Sequence, residues 1–80
     1  MKLQLNLRIR DLREDSDLTQ SDMAKVLKCS QQTYSRYESH TTEIPLESLI
    51  VLAEYYDTSV DYLLGITDTK EPYKRKFSSR

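Results

Sequence analysis

Residues 18–38 read LTQSDMAKVLKCSQQTYSRYE, and this stretch predicts two short helices joined by a tight turn. Thr19 and Asp22 have the spacing of a capping box, in which the hydroxyl accepts an early helical N–H and the carboxylate reaches back to the cap. A helix should therefore begin near Gln20. The turn ends at Ser30, which is a good N-cap for a second helix.

The second predicted helix carries a polar face that suits the edges of DNA bases. Thr33, Tyr34 and Tyr37 are expected to point inward, which leaves four polar residues outside: Gln31, Gln32, Ser35 and Arg36. Glutamine can bond adenine through two hydrogen bonds, and arginine can bond guanine or a phosphate. A solvated face without function is the alternative, because glutamine and serine are ordinary surface residues. The turn spacing and the capping pattern favour recognition.

Five segments, taken in their order and spacing, resemble the Cro and lambda-repressor-like helix-turn-helix domains, also called the Xre family. The resemblance covers residues 6–65. Its segments are LRIRDLRED with Leu12 and Arg13, LTQSDMA with Gln20, SQQTYSRYE ending in Glu38, LESLIVLAEYY opened by Pro45, and SVDYLLG closed by Gly65. The resemblance implies an all-α, compact five-helix domain with the helix-turn-helix at helices 2 and 3.

Two kinds of DNA contact are implied by this resemblance. Gln20 is expected to bond a backbone phosphate from a helix N-terminus. The residues expected at base edges in the major groove are Gln31, Gln32, Thr33, Ser35 and Arg36. Arg36 could instead reach a flanking phosphate. The other expected phosphate contacts are Ser30, Ser39, His40, Thr41 and Thr42.

Arg13 and Glu38 resemble the ion pair that links the first helix of these domains to the end of the third. Their implied role is structural, and neither is expected to contact DNA. If the pair is buried, losing one partner should cost about 3–5 kcal/mol, because the remaining charge stays desolvated. Lys28 stands where the family usually has glycine, so we expect a left-handed backbone there at a cost of about 1 kcal/mol.

Length and composition fit one small helical domain followed by a tail. The chain has 80 residues, of which 38% are hydrophobic and one is glycine; a single core is only just sufficient at this size. Apolar residues recur with helical period, for example at Leu46, Leu49 and Ile50. We expect the domain to span residues 1–66, and residues 67–80 to form a basic tail with little structure of its own.

The charge distribution is unusual for a DNA-binding module, which is expected to be basic. Through Gly65 the chain carries seven cationic and eleven acidic side chains, a net charge of −4, and the rest carries five and two, a net charge of +3. Glu43 and Glu47 lie near the edge where similar domains often have cations. We therefore expect lower affinity and greater dependence on dimerisation, or phosphate contacts from the basic tail. A merely solubilising tail is the alternative.

The sequence lacks the residues that several classes of function require. With one histidine, one cysteine and no glycine-rich phosphate loop, we expect no enzyme activity, no cofactor and no metal site. The lone Cys29 cannot form an internal disulfide, which fits a reducing cytoplasm. No apolar run is long enough to cross a membrane. The sequence thus predicts a soluble, cytoplasmic protein.

The function that the sequence favours is a sequence-specific, double-stranded DNA-binding transcription regulator, a repressor of prophage or mobile-element type. A homodimer is expected because two recognition helices on a two-fold axis read half-sites about 34 Å apart. The candidate dimer-interface residues are Tyr62, Leu63, Leu64 and Ile66, although Leu63 and Leu64 could simply close the monomer core.

A protein-interaction module that retains the fold is the alternative function. Examples are the antitoxin of a toxin–antitoxin pair and an antirepressor, and a protein effector is a possible partner of either kind of molecule. The acidic surface around Asp57 and Asp61 favours this alternative, whereas the SQQTYSR face opposes it.

Overall fold

Five α-helices form the regular structure of residues 7–72, the part of the chain that this computed structural model describes. They are α1 (Ile9–Asp15), α2 (Gln20–Leu27), α3 (Gln31–Glu38), α4 (Leu46–Tyr55) and α5 (Val60–Leu63). Those residues contain no strand. The expected all-α fold with five helices is confirmed. The longest of these helices has ten residues, so none in residues 7–72 has the length and apolar character needed to span a bilayer.

Side-chain caps fix where three of the helices begin. Thr19 and Asp22 form the predicted capping box at α2, and the Ser30 hydroxyl accepts the N–H of the third helical residue of α3. Ser59 caps α5 in the same way. Pro45, which was expected to open α4, lies directly before it as the N-cap, with an extended backbone and no side-chain hydrogen bond. A side-chain oxygen that satisfies an early N–H stabilises a helix by about 1 kcal/mol.

A left-handed residue follows every one of these five helices. The five positions are Asp17, Lys28, His40, Asp57 and Gly65, with φ between 53° and 76°. After each of them, the next N–H donates to the carbonyl five residues earlier; the N–H of Cys29, for example, reaches the carbonyl of Ala24 at 2.9 Å. This is the Schellman arrangement, which satisfies carbonyls that a helix end leaves without partners. Only Gly65 adopts it without steric cost, since the others carry a Cβ.

The core lies between α1, α2, α3 and α4 and is closed by α5. Its buried apolar residues are Ile9, Leu12, Met23, Ala24, Tyr34, Tyr37, Leu49, Leu52, Ala53 and Leu63. The rings of Tyr34 and Tyr37 meet edge to face, with centroids 6.4 Å apart. Leu46 and Ile50, which share the helical apolar pattern, are exposed instead, because the apolar run of α4 is wider than the single face that it packs inward.

Residues 66–70 lie back against the domain. Arg8 donates to the carboxylate of Asp68 and stands 4.2 Å above the ring of Tyr62, and the hydroxyl of Thr58 donates to the carbonyl of Lys70. We refer to residues 66–70 as the C-terminal strap. The predicted tail therefore has no helix over these residues, but its first part is held by the domain. The rest of that tail, with the YKRKF run, lies outside the described residues.

Candidate nucleic-acid interface

At the N-terminus of α2, Thr19 and Asp22 cap the helix reciprocally. The N–H of Asp22 donates to Thr19 Oγ1 at 3.0 Å, and the N–H of Thr19 donates to Asp22 Oδ2 at 2.8 Å. The hydrogen bonds from Thr19 hold the pKa of Asp22 below its usual value. Gln20 is the first residue of the helix and is half-buried. Early helical N–H groups and the helix dipole favour a negatively charged group at this position.

The turn between α2 and α3 spans residues 28–30 and is the turn that the sequence predicted. Lys28 has φ 57° and ψ 43°, which is the left-handed conformation expected where the family usually has glycine. Cys29 is half-buried next to the core, and burial raises the pKa of its thiol. The cysteine therefore packs as a small apolar residue against the core.

Along α3, the polar residues expected at base edges differ in their exposure to solvent. Gln31, Gln32 and Arg36 are exposed, whereas Thr33 and Ser35 are half-buried. The Thr33 hydroxyl also accepts a hydrogen bond from the Ser30 hydroxyl at 2.8 Å. The outward face predicted for Ser35 is thus only partly open. The three exposed side chains form the accessible part of this face, and we call them the α3 reading face.

At the back of the α3 reading face, a buried cluster ties three helices together. Arg13 Nε donates to Glu38 Oε2 at 2.7 Å, and the Arg13 and Glu38 side chains are 13% and 4% exposed. Arg13 also donates to the carbonyl of Leu18, just before α2. Glu38 Oε1 accepts a further hydrogen bond from Gln20 Nε2 at 3.1 Å. This carboxylate therefore joins the first helix to both helices of the helix-turn-helix.

Burial and hydrogen bonding shift the pKa of Glu38 in opposite directions, and the hydrogen bonds together have the larger effect. Burial alone would raise the pKa of this carboxyl, but the hydrogen bonds it accepts, that from Arg13 foremost, hold it below its usual value. Burial, followed by the nearby Glu38 carboxylate, raises the pKa of Tyr34 well above its usual value. Glu38 is consequently an ion, and Tyr34 a neutral phenol, at neutral pH.

The loop after α3 places four polar residues in solvent at the other end of the α3 reading face. These residues are Ser39, His40, Thr41 and Thr42. The hydroxyls of Ser39 and Thr41 are 2.9 Å apart and share a hydrogen bond. The N–H groups of Thr41 and Thr42 both donate to the carbonyl of Arg36, so the loop is tied directly to α3. Glu43 and Glu47 follow and are also exposed, as the charge pattern suggested.

One of the residues expected at the dimer interface does not reach the protein surface. Leu63 is buried in the monomer core, which leaves it no exposed surface for the expected dimer interface and agrees with the alternative expectation that it closes the core. Tyr62 and Leu64 are half-buried, and Tyr62 already lies under the Arg8 guanidinium. Ile66 is 63% exposed and is the one of the four candidates with a largely open side chain.

Sequence reasoning missed the contact between Gln20 and Glu38. The two residues are 18 positions apart, and the pairing follows from how α2 crosses the end of α3, which no local pattern encodes. The expected ion pair of Arg13 with Glu38 marked the position of the carboxylate. Nothing in the spacing indicated that the same carboxylate would also hold the residue assigned to phosphate contact.

Comparisons with known proteins agree with this arrangement. A family model described as helix-turn-helix matches residues 9–63. The chain is 40% identical over 65 residues to the uncharacterized HTH-type transcriptional regulator YobD of Bacillus subtilis (strain 168), covering 81% of this chain and 58% of that protein. It is 33% identical over 73 residues to the cryptic phage CTXphi transcriptional repressor RstR of Vibrio cholerae, covering 91% of this chain and 66% of that protein.

A solved structure has the same fold. The crystal structure of a transcriptional regulator from Listeria innocua aligns with a TM-score of 0.75 at 25% sequence identity, covering 98% of this chain and 68% of that one. The chain spans between half and two thirds of the length of the curated relatives it matches. Because the family model covers most of the chain, and because α2 and α3 are joined by a tight turn within the matched residues, this chain belongs to the helix-turn-helix family of the Cro and lambda-repressor type.

Proposed function

We propose that this chain is the operator-binding part of a sequence-specific transcription regulator, a repressor of prophage or mobile-element type that acts on double-stranded DNA as a dimer. The observation that carries this proposal is the α3 reading face: Gln31, Gln32 and Arg36 are all exposed on one short helix. The short α2–α3 turn and the packing of both helices in the core hold that helix in place. The relatives named as transcriptional regulators and as a phage repressor support the same conclusion.

In the proposed complex, α3 lies in the major groove. Gln31 and Gln32 read base edges at its N-terminal end, where an amide can bond adenine through N6 and N7. Arg36, one turn further on, bonds guanine or a flanking phosphate. Ser35 and Thr33 contribute less, because both are half-buried and the Thr33 hydroxyl is already paired with Ser30.

Phosphate contacts on either side of α3 set the position of the domain on the duplex. Gln20 binds one phosphate at the N-terminus of α2, and Ser30 adds a hydroxyl at the start of α3. The loop of residues 39–42 binds phosphates at the other end of α3. Such contacts orient the protein and carry no sequence information themselves.

The acidic surface has a consequence for affinity. Few phosphates can be neutralised by a module of net charge −4, so the dependence of binding on salt should be shallow for each protomer. Useful affinity then comes from two protomers on one two-fold site, with half-sites about 34 Å apart. Within the proposed dimer, Ile66, Leu64 and the outer part of Tyr62 provide the apolar surface.

Selection from a randomised duplex library tests this proposal. The purified protein is equilibrated with the library at two salt concentrations, binding is followed by fluorescence anisotropy, and the retained DNA is sequenced. We expect enrichment of a two-fold-symmetric site. The double change Gln31→Ala with Gln32→Ala should abolish that enrichment, whereas Glu54→Ala, at the far end of α4, should not.

Two other results would contradict the proposal. Retention without a motif that collapses at the higher salt would mean contacts to the DNA backbone only. No retention at either salt would favour the protein-interaction module, such as an antitoxin or antirepressor. A binding partner of that module should still bind the variant with both glutamines changed. In both cases the proposed activity is binding, without catalysis.

A further inference from the structure

The side chain assigned to phosphate binding is itself held by a buried carboxylate. Gln20 Nε2 donates to Glu38 Oε1 at 3.1 Å, and the Glu38 side chain is 4% exposed. Arg13 donates to both oxygens of the same carboxylate, from Nε to Oε2 at 2.7 Å and from Nη2 to Oε1 at 3.1 Å, so the carboxylate is held by two helices. Gln20 is half-buried and retains access to solvent at the N-terminus of α2.

The chemistry of the two groups determines how the amide is oriented. A carboxylate only accepts hydrogen bonds, so the nitrogen of the Gln20 amide, not its oxygen, must face Glu38. A primary amide nitrogen has two N–H groups, and one of them is donated to Glu38. The other is left for a second acceptor. A DNA phosphate also only accepts, so this orientation presents the group that a phosphate requires.

Without Glu38 the amide would have no such preference. It could rotate to present its oxygen, which would repel a phosphate, and it would lose more conformational freedom when DNA binds. Because Glu38 is the last residue of α3, the same contact also fixes the distance between the phosphate site on α2 and the α3 reading face.

We propose that Glu38 is a positioning residue for DNA binding: its carboxylate holds the amide of Gln20 so that one N–H is aimed at a backbone phosphate. This inference rests on the proposed function and adds to the structural role of the ion pair with Arg13. Glu38 does not touch DNA and acts through Gln20.

A double-mutant cycle separates this role from a purely structural one. Glu38→Asp keeps the negative charge but shortens the side chain by one methylene, which withdraws the carboxylate from Gln20 and from Arg13 alike. The Gln20→Ala background separates the two effects, because a loss of affinity that arises through Arg13 persists there. Gln20→Ala removes the phosphate contact. Affinity for one duplex is measured for the wild type, both single variants and the double variant, after thermal unfolding has shown that each is folded at the assay temperature. Glu38→Gln is a second probe, since it removes the charge at constant size.

We expect Glu38→Asp to weaken duplex binding by roughly three- to tenfold, the range of one hydrogen bond. In the Gln20→Ala background the same change should have no effect on affinity. Equal losses in both backgrounds would overturn the inference and leave the proposed function intact. A wild type that binds no duplex would overturn both.

NMR spectroscopy can detect the contact between Gln20 and Glu38 in the absence of DNA. In nitrogen-15 NMR, the two side-chain N–H signals of Gln20 should be shifted from those of the exposed Gln31 and Gln32, and should titrate with Glu38 in acid. Glu38→Asp should move the Gln20 signals toward those of the exposed amides. Signals of Gln20 that coincide with the exposed ones in the wild type would overturn the inference even if DNA binds.

Discussion

The backbone N–H of Cys29 donates to the carbonyl of Ala24 at 2.9 Å, and Lys28, directly before Cys29, is left-handed so that this hydrogen bond can form. The bond closes the end of α2 and begins the turn to α3. An L-residue with a Cβ adopts this conformation at a cost of about 1 kcal/mol. The helix-turn-helix angle thus depends on a residue whose backbone conformation is unfavourable for its type.

Replacing Lys28 with glycine should leave the domain equally stable or make it more stable. Glycine removes the steric cost at φ 57°, although it also gives the unfolded chain more freedom. The net gain should be at most about 1 kcal/mol, or roughly 4–8 °C in Tm for a domain of this size. Thermal unfolding followed by circular dichroism measures it. Lys28→Ala is the control and should give no gain, since alanine keeps the Cβ. A clear fall in Tm for Lys28→Gly would contradict this account of the turn.

Two arginines on α1 should differ sharply when each is changed to alanine. Arg13→Ala leaves the buried Glu38 carboxylate without its main partner and should cost about 3–5 kcal/mol. Arg10→Ala breaks an ion pair with Glu14 that is open to solvent, and should cost about 0.5 kcal/mol or less. Urea unfolding of both variants measures the difference. Similar losses for the two would mean that the Arg13 pair is solvated in solution.

Unfolding free energy should fall in acid. The pKa values of Glu38 and Asp22 are lowered in the folded chain, so both carboxylates contribute stability that is fully present above their ordinary values, 4.5 and 3.8. That stability is lost as the pH falls through the lowered folded-state values, because the unfolded chain then binds more protons. Urea unfolding between pH 6 and about pH 2 measures the slope of the unfolding free energy against pH. Glu38→Gln should flatten it, and an unchanged slope in that variant would show that other carboxyls are responsible.

Ile66→Asp should weaken the proposed dimer without unfolding the domain. Ile66 is 63% exposed, so a charge there should change the unfolding free energy by no more than about 0.5 kcal/mol. Sedimentation equilibrium measures the association. Leu46→Asp, at a similarly exposed residue on α4, is the control and should associate like the wild type. If only Leu46→Asp dissociates the dimer, the interface lies on α4.

Short sequence patterns predicted where α2 and α3 begin. The caps at Thr19 and Ser30 act over three residues, so their hydroxyl acceptors can be read directly from the sequence. The left-handed backbone of Lys28 was expected from the family resemblance, because similar domains usually have glycine at that position. The pairing of Arg13 with Glu38 was implied by the family resemblance.

Contacts between distant residues were not predictable in this way. Gln20 reaches Glu38 only because α2 and α3 cross at a particular angle, and that angle is a property of the packed core. The pairing of Arg8 with Asp68 spans 60 positions and carries no local pattern. Leu46 shares the helical period of the buried residues on α4 yet is 67% exposed, since period alone does not state how wide the packed face is.

The C-terminal strap determines where this domain can be cut. A fragment ended at residue 63, where the family match ends, would lose the carbonyl of Lys70 that the buried hydroxyl of Thr58 bonds, and the carboxylate that Arg8 bonds. It would also lose the hydrogen bond from the N–H of Ile66 to the carbonyl of Asp61, which closes α5. Fusions and truncations should therefore retain the chain through residue 70.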